Sequence, residues 1–458
     1  MTDESSTRGG GVSRRSLLRA SGAAGLAGVA GLAGCAGQFG GGGGASTRPI
    51  SEDELTIWHA MGGGNGEVLR GLVDRFRSET GVDANLVFQD SYEGVLTNAL
   101  SALDSGEVPD VFQVDSLFAQ QVLGTDAVEP VENLLSDDYP VDDFLPNVTS
   151  FFTIDGTLSS MPFNNSNCIL YYNRTAFEEA GLDPDSPPTT LEEVRSYSET
   201  LVDEGVTEAG ITWPNHVWFV ETFYSVDGQL LLDAENGHDG RPSTLLTDNE
   251  TARSLFDWWA GMARDGLYSN PGIEAWGEAT STFLTGNAAM MMTSTASVTG
   301  VRDGAAENGF EVDNAFYPTV DGDRTGPVIG GASWFVPSGL PDSRREEIGQ
   351  FLEFMGRPES QITWHKGTGY YPIRRSAIDR LESDGWFEEN PMYRTAFDQL
   401  TEAEEAPPTK RMLIGPARQT QTTIQDTAVE IFSGDAGLEE GLSSMKSTVE
   451  DELDRYHD

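Results

Sequence analysis

Cysteine and lysine are scarce in this sequence. Of 458 residues two are cysteine, Cys35 and Cys168, and three are lysine, Lys366, Lys410 and Lys446. If Cys35 is consumed elsewhere, Cys168 has no partner, so a disulfide framework is excluded. With 28 basic against 74 acidic residues, the net charge is -46, which excludes nucleic acid as a partner. The five histidines, at 59, 216, 238, 365 and 457, show no H-x-x-x-H spacing, so no metal site is expected. No G-x-S-x-G elbow and no Walker glycine loop occurs. "DGDRTG" (Asp321 to Gly326) lacks the closing glutamate of a calcium loop and reads as a hairpin turn. No apolar run approaches the roughly 20 residues of a membrane span.

The present features begin near the N-terminus. Arg14 and Arg15 precede an apolar stretch of small residues, Ala20 to Ala33, that ends in "LAGC" and a glycine run. A basic start, a short apolar centre and small residues at the end make an export signal. "SRRSLLR" resembles the twin-arginine motif, and "LAGC" resembles a lipobox in which Cys35 becomes the lipid-bearing first mature residue. Residues 1–35 are therefore expected to be a twin-arginine lipoprotein signal, and 36–50 a flexible tether. Acidic residues run through the whole remainder, yet Trp, Phe, Tyr and Leu are plentiful, which predicts a packed core rather than disorder. Adaptation to very high salt accounts for the charge, since the Debye length at 1 M is about 3 Å. Sequons at Asn147, Asn164, Asn173 and Asn249 permit glycosylation.

"LTIWHAM" reads as a strand, Gly62 to Gly66 as a loop, and "EVLRGLVDRFRSETG" as an amphipathic helix. "ANLVFQ", a helix opening near Ser91, and "DVFQVD" follow. Strand-helix-strand-helix-strand implies parallel pairing and an α/β fold, with ligands at the carboxyl ends of the strands.

Five segments in order carry a resemblance: "IWHAM", "PFNNSNCILYYNRTAFEEAGLDP", "FLTGNAAMMMTSTAS", "IGGASWFV" and "WHKGTGYYPI". They are similar to solute-binding proteins of ABC carbohydrate importers, and within them to the glycerol-3-phosphate-binding branch. The resemblance implies a type II periplasmic-binding-protein-like fold: two α/β lobes, a hinge and a cleft between them. Lobe one is expected over 51–161 plus about 316–371, and lobe two over about 162–315 plus 372–458. The implied function is delivery of glycerol 3-phosphate or a related carbohydrate to an ABC permease. The protein would be a cofactor-free monomer, lipid-anchored on the outer face of the membrane. The alternatives are a binder of neutral sugars or oligosaccharides, a secreted carbohydrate-active enzyme, for which no acid pair stands out, and a surface structural protein.

Carried across residue by residue, the family contacts fall on Tyr92 and Glu93 at a helix start, and on Ser166 in "PFNNSN". Ser294 and Thr295 follow where a strand gives way to a helix. Gly330 and Gly331 allow close backbone approach, and Tyr370 matches a ligand-contacting tyrosine, whereas Tyr371 packs. Trp213 and Trp218 match a stacking pair, at a spacing of five instead of the family's three. The family also carries an arginine in the segment matching "TKRMLIGPAR", where this chain has Leu413. Arg411 and Arg418 are its candidate replacements; an extended segment would put Arg411 on the same side as Leu413. Without an arginine in reach, phosphate recognition loses a bidentate contact and a neutral ligand is favoured.

Overall fold

The computed structural model describes residues 48–457, except Asp155, Asp321, Asp323, Glu404 and Glu405. The leader with Arg14 and Arg15, the lipobox Cys35 and most of the tether lie outside the described residues.

Two sheets organise the chain. The first has six strands, with Ala84–Phe88, Leu55–His59 and Val111–Asp115 side by side and parallel. Gly330–Pro337 runs antiparallel to Val111–Asp115 and pairs in turn with Val128–Glu129 and Met161–Ser166. Leu55, Ile57, Val111, Phe112 and Val114 are buried. Near-continuous apolar strands of this kind need both faces of the sheet covered. The helix Gly63–Thr80 contributes Leu69, Leu72, Val73 and Phe76 to the core, at the spacing of one helical face. Tyr92–Ser105 begins under the cap of Ser91, whose hydroxyl accepts from the Gly94 N–H at 3.0 Å.

The second sheet has five strands, in the order Tyr268–Ser269, Ala209–Thr212, Ala288–Ser294, Cys168–Asn173 and Val312–Phe316. The first three are parallel, and Cys168–Asn173 is antiparallel to both of its neighbours. The helices Glu250–Arg264, Ala417–Ser433 and Leu438–His457 pack together beside it. The fold is α/β, as the sequence predicts, and is built on two main sheets with two short two-stranded ones beside them.

The chain passes directly from one sheet to the other at Asn167, between Met161–Ser166 and Cys168–Asn173. This crossing is tied through both its backbone and its side chain. The Thr295 N–H donates to the Asn167 carbonyl at 3.0 Å, and the Asn167 side chain donates to the Ala396 carbonyl at 2.9 Å.

Three expectations need correction. The glycine segment after the first strand is helix from Gly63 onward, not loop. The Gly66 N–H donates to the Gly62 carbonyl at 3.1 Å, and a Cβ at Gly66 would lie 2.6 Å from the Met61 carbonyl oxygen. The stretch containing Gly322 to Gly326 is no hairpin, because the strands flanking it, Val312–Phe316 and Gly330–Pro337, belong to different sheets. Asn164 and Asn173 are buried and their side chains are engaged, Asn164 with Gln113 and Tyr92, Asn173 with the Ala176 N–H; neither is placed to carry a surface glycan. Cys168 is free, as expected, and buried, with the Thr222 hydroxyl 3.4 Å from its sulfur; burial pushes its thiol well above the usual range.

Candidate functional site

A cavity of about 530 Å³ opens where strands of both sheets end. Asp115 closes Val111–Asp115, Ala60 follows Leu55–His59, and Ser294 closes Ala288–Ser294; all three line it. This is where an open α/β sheet leaves loops and helix starts facing a crevice.

Eight of the twelve predicted contacts come together on its wall: Tyr92, Glu93, Ser166, Trp218, Ser294, Gly331, Tyr370 and Arg411. The Tyr92 hydroxyl accepts from the Asn164 amide at 2.8 Å, and Tyr370 stacks on Trp364 with ring centroids 5.5 Å apart. Burial raises the pKa of both tyrosines, so each presents a neutral hydroxyl. Ser294 accepts from the Ala296 N–H at 3.1 Å and caps the turn after its strand.

Arg411 forms the floor. It is 2% exposed. Nε donates to Glu221 at 2.8 Å, and Nη1 donates to Asp115 at 2.8 Å and to Ser116 at 2.9 Å. Among the described residues no hydrogen bond runs from Nη2. Burial works against the guanidinium charge, but Glu221 and Asp115 outweigh it and raise its pKa. Burial raises the pKa of Glu221, against the opposing pull of Arg411. Buried charges persist only when paired and hydrogen-bonded in this way.

The other four predicted residues stand off the wall. Trp213 is fully buried among aromatics, stacked on Trp258 at 5.6 Å and against Tyr268 at 4.0 Å. Of the tryptophan pair, Trp218 is the one that reaches the cavity, from the first turn of Val217–Val226, which His216 caps by accepting from the Trp218 N–H. Thr295 is buried behind Ser294, with its hydroxyl on the Asn167 N–H at 3.3 Å. Gly330 lies under Trp218, whose ring a Cβ would meet at 2.3 Å. Arg418 is half-exposed and ion-paired with Glu93 beside the cavity. Leu413 does not share the cavity with Arg411. Its N–H donates to the Asn236 carbonyl at 2.9 Å, and its side chain faces a separate depression beside Tyr456.

Twelve wall residues are not among the predicted contacts, and five of them carry side chains suited to a ligand: Asp115, His216, Glu274, Trp276 and Gln421. Asp115 ends a recognisable strand, and its position at a carboxyl end is the signal that could have found it. The others come from segments with no motif. Among the described residues no cluster of side chains is arranged to hold a metal ion, and no helix is long and apolar enough to cross a membrane.

Residues 71–395 match the family model described as bacterial extracellular solute-binding protein. The sn-glycerol-3-phosphate-binding periplasmic protein UgpB of Yersinia pestis is 30% identical over 399 residues, covering 85% of this chain and 89% of that protein. The Pectobacterium atrosepticum protein of the same name is 29% identical over 398 residues, with 85% and 89% covered. Among solved structures, UgpB from Mycobacterium tuberculosis in complex with glycerophosphocholine superposes with a TM-score of 0.77 at 21% identity, covering 89% of this chain and all of that one. The GacH receptor of Streptomyces glaucescens gives 0.74 at 18%, with 88% and 98% covered. At these identities the superpositions speak for the fold, the two-lobed architecture of solute-binding proteins. The sequence match over most of the chain carries the conclusion: this protein belongs to the bacterial extracellular solute-binding protein family.

Proposed function

We propose that this chain is the extracytoplasmic binding component of an ABC importer and takes up glycerol 3-phosphate or a closely related polyol. The observation that carries this reading is Arg411, whose Nη2 is left over at the floor of a cavity lined by the hydroxyls of Tyr92, Ser166, Ser294 and Tyr370. A guanidinium nitrogen suits a phosphate oxygen, and the hydroxyls suit a polyol. The relatives named for glycerol 3-phosphate support it. On this reading one lobe forms around each sheet, the chain crosses at Asn167, and closure of the cleft is the signal to a permease. Cys35 would hold the protein at the membrane through a double-chain lipid, because one chain binds only marginally.

A second reading, a neutral sugar, is favoured by the same floor. Asp115 and Glu221 already neutralise Arg411, and Glu93 takes Arg418. Titration calorimetry at high salt with glycerol 3-phosphate, glycerol and maltose separates the two. Preference for the phosphate ester supports the first reading, and preference for maltose replaces it. Anchoring is tested apart: Cys35→Ser should release the protein into the medium, and Arg14→Lys with Arg15→Lys should block export.

A further inference from the structure

We propose that the cavity wall formed by His216, Glu274 and Gln421, beside Trp276, is a subsite for a vicinal diol. The inference rests on the polyol reading above and names which end of the ligand lies where: hydroxyls here, the anionic or opposite end towards Arg411.

The wall holds a mixed set of unmet hydrogen-bonding capacity. Nδ1 of His216 accepts from the Trp218 N–H at 3.1 Å, so in a neutral ring the proton sits on Nε2. Burial and the charge of Arg411 lower this histidine to about 3, which keeps it neutral. Nε2–H faces the Gln421 amide nitrogen at 3.4 Å, and that nitrogen is a donor as well. The amide orientation is fixed by its bond to Glu274 Oε1 at 2.6 Å. His216 is thus left with a donor and no acceptor. Gln421 is 3% exposed, and its Oε1 is buried with no partner. Glu274 accepts from Gln421 and, at 3.3 Å, from Gln425, and among the described residues no arginine or lysine pairs with it.

A donor beside a carboxylate acceptor that opens onto the cavity selects the chemistry. A phosphate offers acceptors only and would face Glu274. An ammonium offers donors only and would face His216 Nε2–H. Adjacent hydroxyls supply both roles. Trp276 lines the cavity next to this set, with His216 5.4 Å from its ring, and its indole can cover the C–H face of a polyol.

The backbone gives an independent sign. Glu274 has φ 54°, a conformation that disfavours a side chain with a Cβ. A glycine would sit there with less strain, yet a carboxylate is held facing the cavity. Strain kept in place by its surroundings marks sites of function.

The test uses Glu274→Gly, which removes the carboxylate at a position glycine tolerates, and two probes: glycerol 3-phosphate and 3-hydroxypropyl phosphate, which lacks the middle hydroxyl. By calorimetry the wild type should prefer glycerol 3-phosphate about tenfold, the worth of one hydrogen bond. Glu274→Gly should bind both probes alike, with its melting temperature unchanged or raised. A variant that keeps the wild-type preference, or a wild type without one, overturns the diol subsite and leaves the proposed function standing. A wild type that binds neither probe overturns both.

Discussion

Arg411 and Arg418 lie seven residues apart beside one cavity, and each pairs with an acid from the first sheet's side of it. Arg411 is 2% exposed and sits between two carboxylates; the Arg418 side chain is 52% exposed and, among the described residues, is ion-paired with Glu93 alone. The same ion-pair chemistry has different consequences at the two depths. At the floor, removing one partner strands a charge out of water, which is strongly destabilising. At the rim, solvent and salt do most of what the partner does. The floor arginine is therefore at once part of the fold and a candidate ligand contact, while the rim arginine is free to exchange partners.

The largest expected effect breaks the floor. Arg411→Ala leaves Glu221 and Asp115 facing each other's charge without a cation, and should lower stability by about 3–5 kcal/mol. Loss of ligand binding in that variant would not by itself identify a contact. Arg411→Met combined with Glu221→Leu removes both sides of the buried pair and should recover most of the stability while phosphate binding stays weak. Chemical denaturation by urea, read by tryptophan fluorescence, measures the first effect and calorimetry the second. An Arg411→Ala protein as stable as wild type would erase the distinction between floor and rim.

A buried acid elsewhere sharpens the same point. Asp110 is fully buried at the start of the strand Val111–Asp115, and burial pushes its pKa up to about 6, despite the Thr56 N–H bond at 2.7 Å and Arg344 at 3.3 Å. Because the folded value is raised, the folded state holds its proton longer than the unfolded chain. Stability from this group is full below about pH 4, falls as pH rises from there to about 6, and is level above. A shift of that size corresponds to about 3 kcal/mol. In Asp110→Asn this segment of the pH–stability curve should flatten. An unchanged slope between pH 4 and 6 would mean that the single Arg344 contact holds Asp110 ionised, as the two acids hold Arg411.

Gly331 tests the wall between these depths. Its φ is 93°, and a Cβ would lie 1.8 Å from the Asn164 carbonyl oxygen. Gly331→Ala should cost about 1–3 kcal/mol through strain and overpacking. It should also disturb Asn164, whose amide holds the Tyr92 hydroxyl, so ligand affinity should fall with stability. A variant with wild-type melting and affinity would show that the strand Gly330–Pro337 can shift without penalty.

Much of this fold is legible in the sequence, because strands such as Val111–Asp115 and Ala288–Ser294 are apolar runs between turn signals. The helix start at Gly63 is not legible, since glycines carry no helical pattern and the close approach of Gly66 to the Met61 carbonyl is a local backbone contact that no side-chain pattern encodes. In the site, residues inside contiguous motifs were found: Ser166, Ser294 and Tyr370. Asp115 was hidden by abundance, being one of 74 acidic residues. Glu274 and Gln421 meet only through folding, 147 positions apart. Trp213 and Trp218 are alike in composition and spacing, and only the turn between Ala209–Thr212 and Val217–Val226 sends one to the core and the other to the cavity.

The smallest expected effect is at the rim. A double-mutant cycle of Glu93→Gln and Arg418→Gln should give a coupling of about 0.2–1 kcal/mol, the usual worth of an exposed pair. The coupling should shrink towards zero in 1 M salt, where the screening length is about 3 Å. The cycle isolates the pair from the general effect of salt on a chain of net charge -46, because self-repulsion changes all four proteins alike. Glu93→Gln alone also releases Arg418 towards an incoming anion and removes a carboxylate that repels one. Its affinity for glycerol 3-phosphate should therefore rise about two- to fivefold at the lowest salt that keeps the fold, and match wild type in high salt. If the affinity falls instead, Glu93 is itself a contact for ligand hydroxyls, and the rim belongs to the binding site as fully as the floor does.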